Sequence, residues 1–89
     1  MTPQQVWEAM RDRLILGGLR YGLLGAPEKP QYNRVADIVR RSEEYTATGN
    51  DELLVDIANL ALLEFVEGCH PHKHWGVTDD GKHTTPQTV

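Results

Sequence analysis

Six oxygen-bearing side chains crowd the middle of this 89-residue chain: Glu43, Glu44, Glu52, Asp56, Asn59 and Glu64. Acids at this density are suited to a hard cation. Mg²⁺ takes oxygen ligands and commonly shares its shell with the phosphates of a substrate. A metal held there would neutralise a phosphate chain and polarise phosphorus toward attack by water. On a helix, Glu52, Asp56 and Asn59 fall on one narrow stripe, the face a central helix can turn to water or to a polar site. Glu64 projects about a third of a turn away, among Leu53, Ile57, Leu60 and Ala61. A carboxylate there is costly unless it is paired or bound. The plainer alternative is a solvated stripe with helix-end charge, and a Glu64 that escapes to solvent or pairs with an arginine.

Two further groups of residues have chemical potential. Cys69, His70, His72, His74 and His83 are the usual ligand types for Zn²⁺, but the dense C-H-x-H-x-H run matches no common zinc spacing. Zn²⁺ is therefore a weaker expectation than Mg²⁺. Alternate residues of an extended strand share a side, so His70, His72 and His74 could face one target, and near neutral pH they could contact phosphate as partly charged donors; Pro71 hinders a regular strand. Plain surface histidines are the competing reading. The other group is Arg20-Tyr21 with Tyr32-Asn33-Arg34. Tyrosine can stack on a base and arginine can grip a phosphate with two donors. The competing reading has the tyrosines completing a core and the arginines in water.

The elements that must position these groups are helices. Asn50 to Gly68, NDELLVDIANLALLEFVEG, reads as a central helix, apolar on most of its circumference, with Asn50 as N-cap, Asp51 and Glu52 in the first turn and Gly68 as its stop. Asn33 to Thr48, stopped by Gly49, is a second helix, with Val35, Ile38, Val39, Ser42 and Tyr45 as its core stripe. Opposite lie Asp37, Arg40, Arg41 and Glu44, with Asp37–Arg41 and Arg40–Glu44 as i,i+4 pairs. The short Thr48-Gly49-Asn50 link predicts an antiparallel pair. Thr2-Pro3-Gln4-Gln5 starts a first helix through a capping box. Val6, Met10 and Leu14 continue it, and Gly17-Gly18 is expected to end it. Pro27 and Pro30 make the following stretch a connector. Asp79-Asp80-Gly81 signals a turn.

The fold expected is all-α: a bundle of three principal helices over residues 1–68, followed by an irregular His-rich tail over residues 69–89. The formal net charge of −4 disfavours a nucleic-acid partner held through its phosphates. No apolar run reaches the length of a membrane span, and the start carries no signal-peptide pattern. A single cysteine fits a reducing, cytoplasmic setting. A helix as apolar as the central one needs more cover than a short chain supplies, so a homo-oligomer is expected.

The acidic pattern over Val35 to Val66 resembles that of the all-α, MazG-like nucleoside triphosphate pyrophosphohydrolases. In that group one helix carries E-x-x-E and a following helix E-x-x-D. Here the first helix offers Arg40-Arg41-Ser42-Glu43-Glu44, one end of its pattern. The second offers Glu52-Leu53-Leu54-Val55-Asp56, one residue longer, or Asp56-Ile57-Ala58-Asn59. The resemblance carries over to Glu44 and Asp56; if the chain is such a pyrophosphohydrolase, Glu44, Glu52 and Asp56 hold Mg²⁺, with Glu64 as a catalytic general base or reserve ligand. The runs Tyr45-Thr46-Ala47-Thr48-Gly49-Asn50, Leu54-Val55-Asp56-Ile57-Ala58-Asn59 and Leu63-Glu64-Phe65 also resemble small helical proteins of phage and bacterial genomes. That likeness implies a second class, a phage anti-defence protein that sequesters a nucleotide signal without cleaving it. There Arg20, Tyr21, Arg34 and the histidines would hold the ligand. A protein–protein inhibitor presenting an exposed apolar patch is a third class.

Overall fold

Three helices form where the caps and the apolar spacing place them: α1 (Pro3–Tyr21), α2 (Arg34–Thr48) and α3 (Asp51–Glu67). The structure is a computed structural model that describes residues 1–27, 29–78 and 84–87. Among the described residues there is no strand, so the chain is all-α. No helix there is long and apolar enough to cross a membrane.

The start of α1 is fixed by a reciprocal cap. The Thr2 hydroxyl accepts from the Gln5 N–H at 3.2 Å, and the Gln5 side chain accepts from the Thr2 N–H at 2.9 Å. The expected stop at Gly17-Gly18 does not occur; α1 runs on to Tyr21. Each glycine costs a helix only about 1 kcal/mol relative to alanine and removes no hydrogen bond. The ladder therefore continues until Gly22 N–H closes on the Gly18 carbonyl.

Asn33 caps α2 by accepting from the Ala36 N–H, and Asn50 caps α3 by accepting from the Glu52 N–H. Between the helices Gly49 takes a left-handed conformation, φ 69°, which a residue without Cβ adopts freely. This tight link folds α2 back along α3, and the two make the most extensive pairing in the molecule. α1 docks on α3, and its backbone stands clear of α2 among the described residues, which leaves an open angle between α1 and α2.

The side of α2 turned toward α3 differs from the expected stripe. Val35, Val39 and Ser42 are exposed. Arg34, Ile38, Arg41 and Tyr45 face inward, at i, i+4, i+7 and i+11, because both arginines find acids on α3. The pairing along α2 shifts with them: Arg40 meets Asp37 at 3.3 Å, and Arg41 leaves Asp37 for Asp56. No apolar side chain among the described residues is fully buried; the two buried residues are Arg34, 6% exposed, and Asn59, 7% exposed.

Beyond α3, residues 69–78 contain no helix or strand, but they are tied to it. Lys73 Nζ donates to the carbonyls of Glu64 at 3.1 Å and Phe65 at 2.8 Å, placing a cation at the negative end of the helix. Trp75 meets Phe65 edge-on at 6.2 Å. Gly68 is required by close approach, since a Cβ there would collide with the Glu64 carbonyl and carboxylate. The turn expected at Asp79-Asp80-Gly81, and His83, lie outside the described residues.

Candidate functional site, a cation-lined cleft

The angle between α1 and α2, floored by α3, is a cleft of about 490 Å³. That volume is within the range of small-molecule sites. Leu14, Leu60 and Leu63 give it an apolar floor. Its walls carry Arg13 and Arg20 from α1, Lys29 from the connector, and Arg34, Arg40 and Arg41 from α2. Six of the nine lysines and arginines of a chain with net charge −4 thus converge on one concavity.

Two acid-centred networks hold the walls. At one end Arg13 Nη2 reaches Glu52 at 2.8 Å and Asp56 at 3.2 Å, while Arg41 Nε approaches Asp56 from α2 at 3.7 Å. The Arg13 guanidinium is pushed further up from its already high pKa, first by the charge of Asp56 and then by Glu52, so it stays protonated at every working pH. At the other end the Glu67 carboxylate accepts from Gly25 N–H at 2.8 Å, Arg34 Nη2 at 2.8 Å and Lys29 Nζ at 3.1 Å. These donors hold its pKa below the usual carboxylate range. The Gly25 N–H contributes most, and Lys29 and Arg34 add charge against the opposing effect of burial. The Glu67 network pins the connector and the start of α2 to the end of α3.

Counting Glu52 and Glu67 with the lining acids Asp37 and Asp56, six cations meet four carboxylates, a surplus of two positive charges. By these pairings the surplus falls on Arg20, which has no acidic partner among the described residues, and on the Glu67 network, where Lys29 and Arg34 share one carboxylate. Arg41 Nη1 is shielded from solvent and has no hydrogen-bond partner. Asn59 donates to the Met10 carbonyl at 2.9 Å, which fixes its amide orientation and leaves Oδ1 buried without a partner. Buried polar atoms without partners cost about 1–3 kcal/mol each. The aromatic part of the cleft is Tyr21 and Tyr32, edge to face at 6.1 Å, with the Arg34 guanidinium 5.7 Å from the Tyr32 ring centre.

The residues singled out in the sequence therefore divide. Arg20, Tyr21 and Arg34 share the cleft, and Asp56 stands on its wall. Glu52 and Asp56 lie side by side as expected, but each is engaged by Arg13. The α2 residue that reaches them is Arg41, whereas Glu44 is exposed. Asn59, on the same stripe, faces α1 rather than water. Among the described residues no three His, Cys, Asp or Glu side chains are grouped as they would be around a metal ion.

Glu64, His70, His72 and His74 line a separate shallow groove with Ile38, Ala61 and Phe65. There the His72 N–H donates to His70 Nδ1 at 3.0 Å, and His74 Nδ1 lies 2.7 Å from the His72 carbonyl. Local backbone bonding thus shapes this run.

The sequence reading passed over Arg13, Lys29 and Glu67, and it placed Arg40 and Arg41 opposite the core stripe of α2, paired with Glu44 and Asp37. A signal was present: Arg13 falls on the same helical face as Val6, Met10 and Gly17, and Arg41 on that of Ile38 and Tyr45. Charges inside an apolar stripe need partners. Comparison with known protein families, with curated proteins and with solved structures gave no match.

Proposed function

We propose that this chain is a nucleotide-binding protein that holds a phosphate-bearing small molecule in the cleft without cleaving it. The observation that carries the reading is the convergence of six cations and two tyrosines on one concavity in an acidic chain. A surplus of about two positive charges suits a ligand with one dianionic phosphate or two phosphodiesters. Tyr21 and Tyr32 supply the stacking surface for a base, and Arg20 and Arg41 the donors for phosphate oxygens. The engagement of Glu52 and Asp56 by arginines favours binding over Mg²⁺-dependent hydrolysis, since both carboxylates already have counter-charges.

Titration calorimetry against nucleoside mono-, di- and triphosphates, with product analysis of each mixture, tests this. Retention of an intact nucleotide, weakened at least 10-fold by Arg20→Ala, is the expected result. Mg²⁺-dependent release of pyrophosphate or phosphate would overturn the reading in favour of the hydrolase. Absence of both binding and turnover across the panel would overturn both.

A further inference from the structure

The cleft uses one side of the α2–α3 pair; the other side carries two uncharged runs. On α2, Val35, Val39, Ser42 and Thr46 recur at i, i+4, i+7 and i+11. On α3, Leu54, Ala58, Ala61 and Phe65 recur at the same spacing. At 100° per residue the first run lies about half a turn from Asp37 and Arg41, and the second about half a turn from Asp56, so both point away from the cleft. None of the eight lines it. The larger members are open to solvent: Val35 57%, Val39 53%, Leu54 43% and Phe65 65% exposed. The two hydroxyls add little polarity, because Ser42 donates to the Ile38 carbonyl and Thr46 to the Ser42 carbonyl within their own helix.

We infer that this face is the interface with a second copy of the same chain, whose α2–α3 pair packs against it to complete a four-helix bundle. Three observations favour a second copy over another partner. First, the chain buries no apolar side chain fully among its described residues, so one copy lacks the core that small domains need. Second, its accessible surface is 7668 Å², against about 5,200 Å² expected for a folded monomer of this 10.0 kDa mass. Part of the excess belongs to the exposed segment after α3. A stable dimer buries roughly 800 Å² per partner, about a third of the whole excess. Third, the eight side chains are themselves uncharged, charge entering at the α3 end, where Lys73 lies over the Phe65 ring and Glu64 borders the groove, and two matching i, i+4, i+7 runs side by side suit a two-fold pairing in which each copy offers the same patch. The cleft stays on the outside of such a dimer, so this inference stands whether or not the cleft binds nucleotides.

Sedimentation of the full chain at micromolar concentration, with melting followed across a 100-fold concentration range, tests the assignment. Twice the chain mass of 10.0 kDa and a melting temperature that rises with concentration are expected. Val39→Lys should weaken assembly at least 100-fold, seen as monomer or as loss of concentration-dependent folding. Leu19→Lys, at an apolar residue still more exposed but on the outer side of α1, should leave the mass unchanged. A wild-type monomer with concentration-independent melting would overturn the inference, whether or not another protein binds the face. So would a Val39→Lys protein that remains dimeric, or equal disruption by Leu19→Lys.

Discussion

The two sides of the α2–α3 pair share two helices and carry opposite chemistry. The cleft side presents Arg34, Asp37, Arg40 and Arg41 from α2 and Asp56 and Asn59 from α3. The far side presents Val35, Val39, Ser42 and Thr46 beside Leu54, Ala58, Ala61 and Phe65, with Lys73 and Glu64 at its α3 border. The difference shows where a small chain spends its few burial positions. Its two most buried residues, Arg34 and Asn59, both stand on the cleft side, while Val35, Val39, Leu54 and Phe65 on the far side remain open. Polar burial is costly unless each group is satisfied, and it is worth keeping where function requires a fixed array of donors. The apolar side is the one we propose pairs with a second copy.

The sharpest way to break this contrast is at Glu67, the anchor of three donors. Glu67→Gln leaves Lys29 and Arg34 shielded without a counter-charge and weakens the hold on the connector. Destabilisation of about 3 kcal/mol is expected, read by urea unfolding. The same carboxylate sets a pH dependence. Its folded pKa is depressed, so its stabilisation is fully present above the ordinary carboxylate range. It is lost as pH falls through the folded value. Melting temperature should therefore drop on acidification below about pH 4.5, and Glu67→Gln should flatten that part of the profile.

Next in size are changes that touch ligand rather than fold. Tyr21→Ala should reduce nucleotide affinity about 10-fold, the usual worth of one stacked base, and should affect inorganic phosphate far less. Both are read by calorimetry. At the small end, Arg40→Ala removes an exposed pair with Asp37 at 3.3 Å and should move stability by less than about 0.5 kcal/mol in thermal unfolding. A larger loss would mean that the outer wall of the cleft is structural.

Much of the fold was legible in the sequence, because caps and stops are local. Thr2 with Gln5, Asn33, Gly49 and Asn50 each act where their side chain or backbone freedom requires. Gly17-Gly18 misled because two glycines weaken a helix without removing its hydrogen bonds. The cleft was half legible. Arg20, Tyr21 and Arg34 could be picked out as one group, and they share the cleft. The roles of Arg13, Arg41 and Glu67 could not, since each depends on a partner that is distant in sequence: Arg13 with Asp56, Arg41 with Asp56, and Glu67 with Lys29 and Arg34. The stripe of Glu52, Asp56 and Asn59 was visible as a stripe, but which neighbour it faces is set by the docking of α1.

The account turns on whether that stripe is the ion-paired wall of an anion cleft. Asp56→Asn removes its central charge while keeping its shape, and melting and nucleotide affinity of this variant, each measured with Mg²⁺ and with a chelator, test the point most directly. The account predicts a lower melting temperature, because Arg13 and Arg41 lose their shared acid. It also predicts nucleotide affinity that is kept or raised, because one more positive charge is left uncompensated, with no dependence on Mg²⁺. Near-normal melting with a lost Mg²⁺ response would contradict it and return Asp56 to the role of a metal ligand.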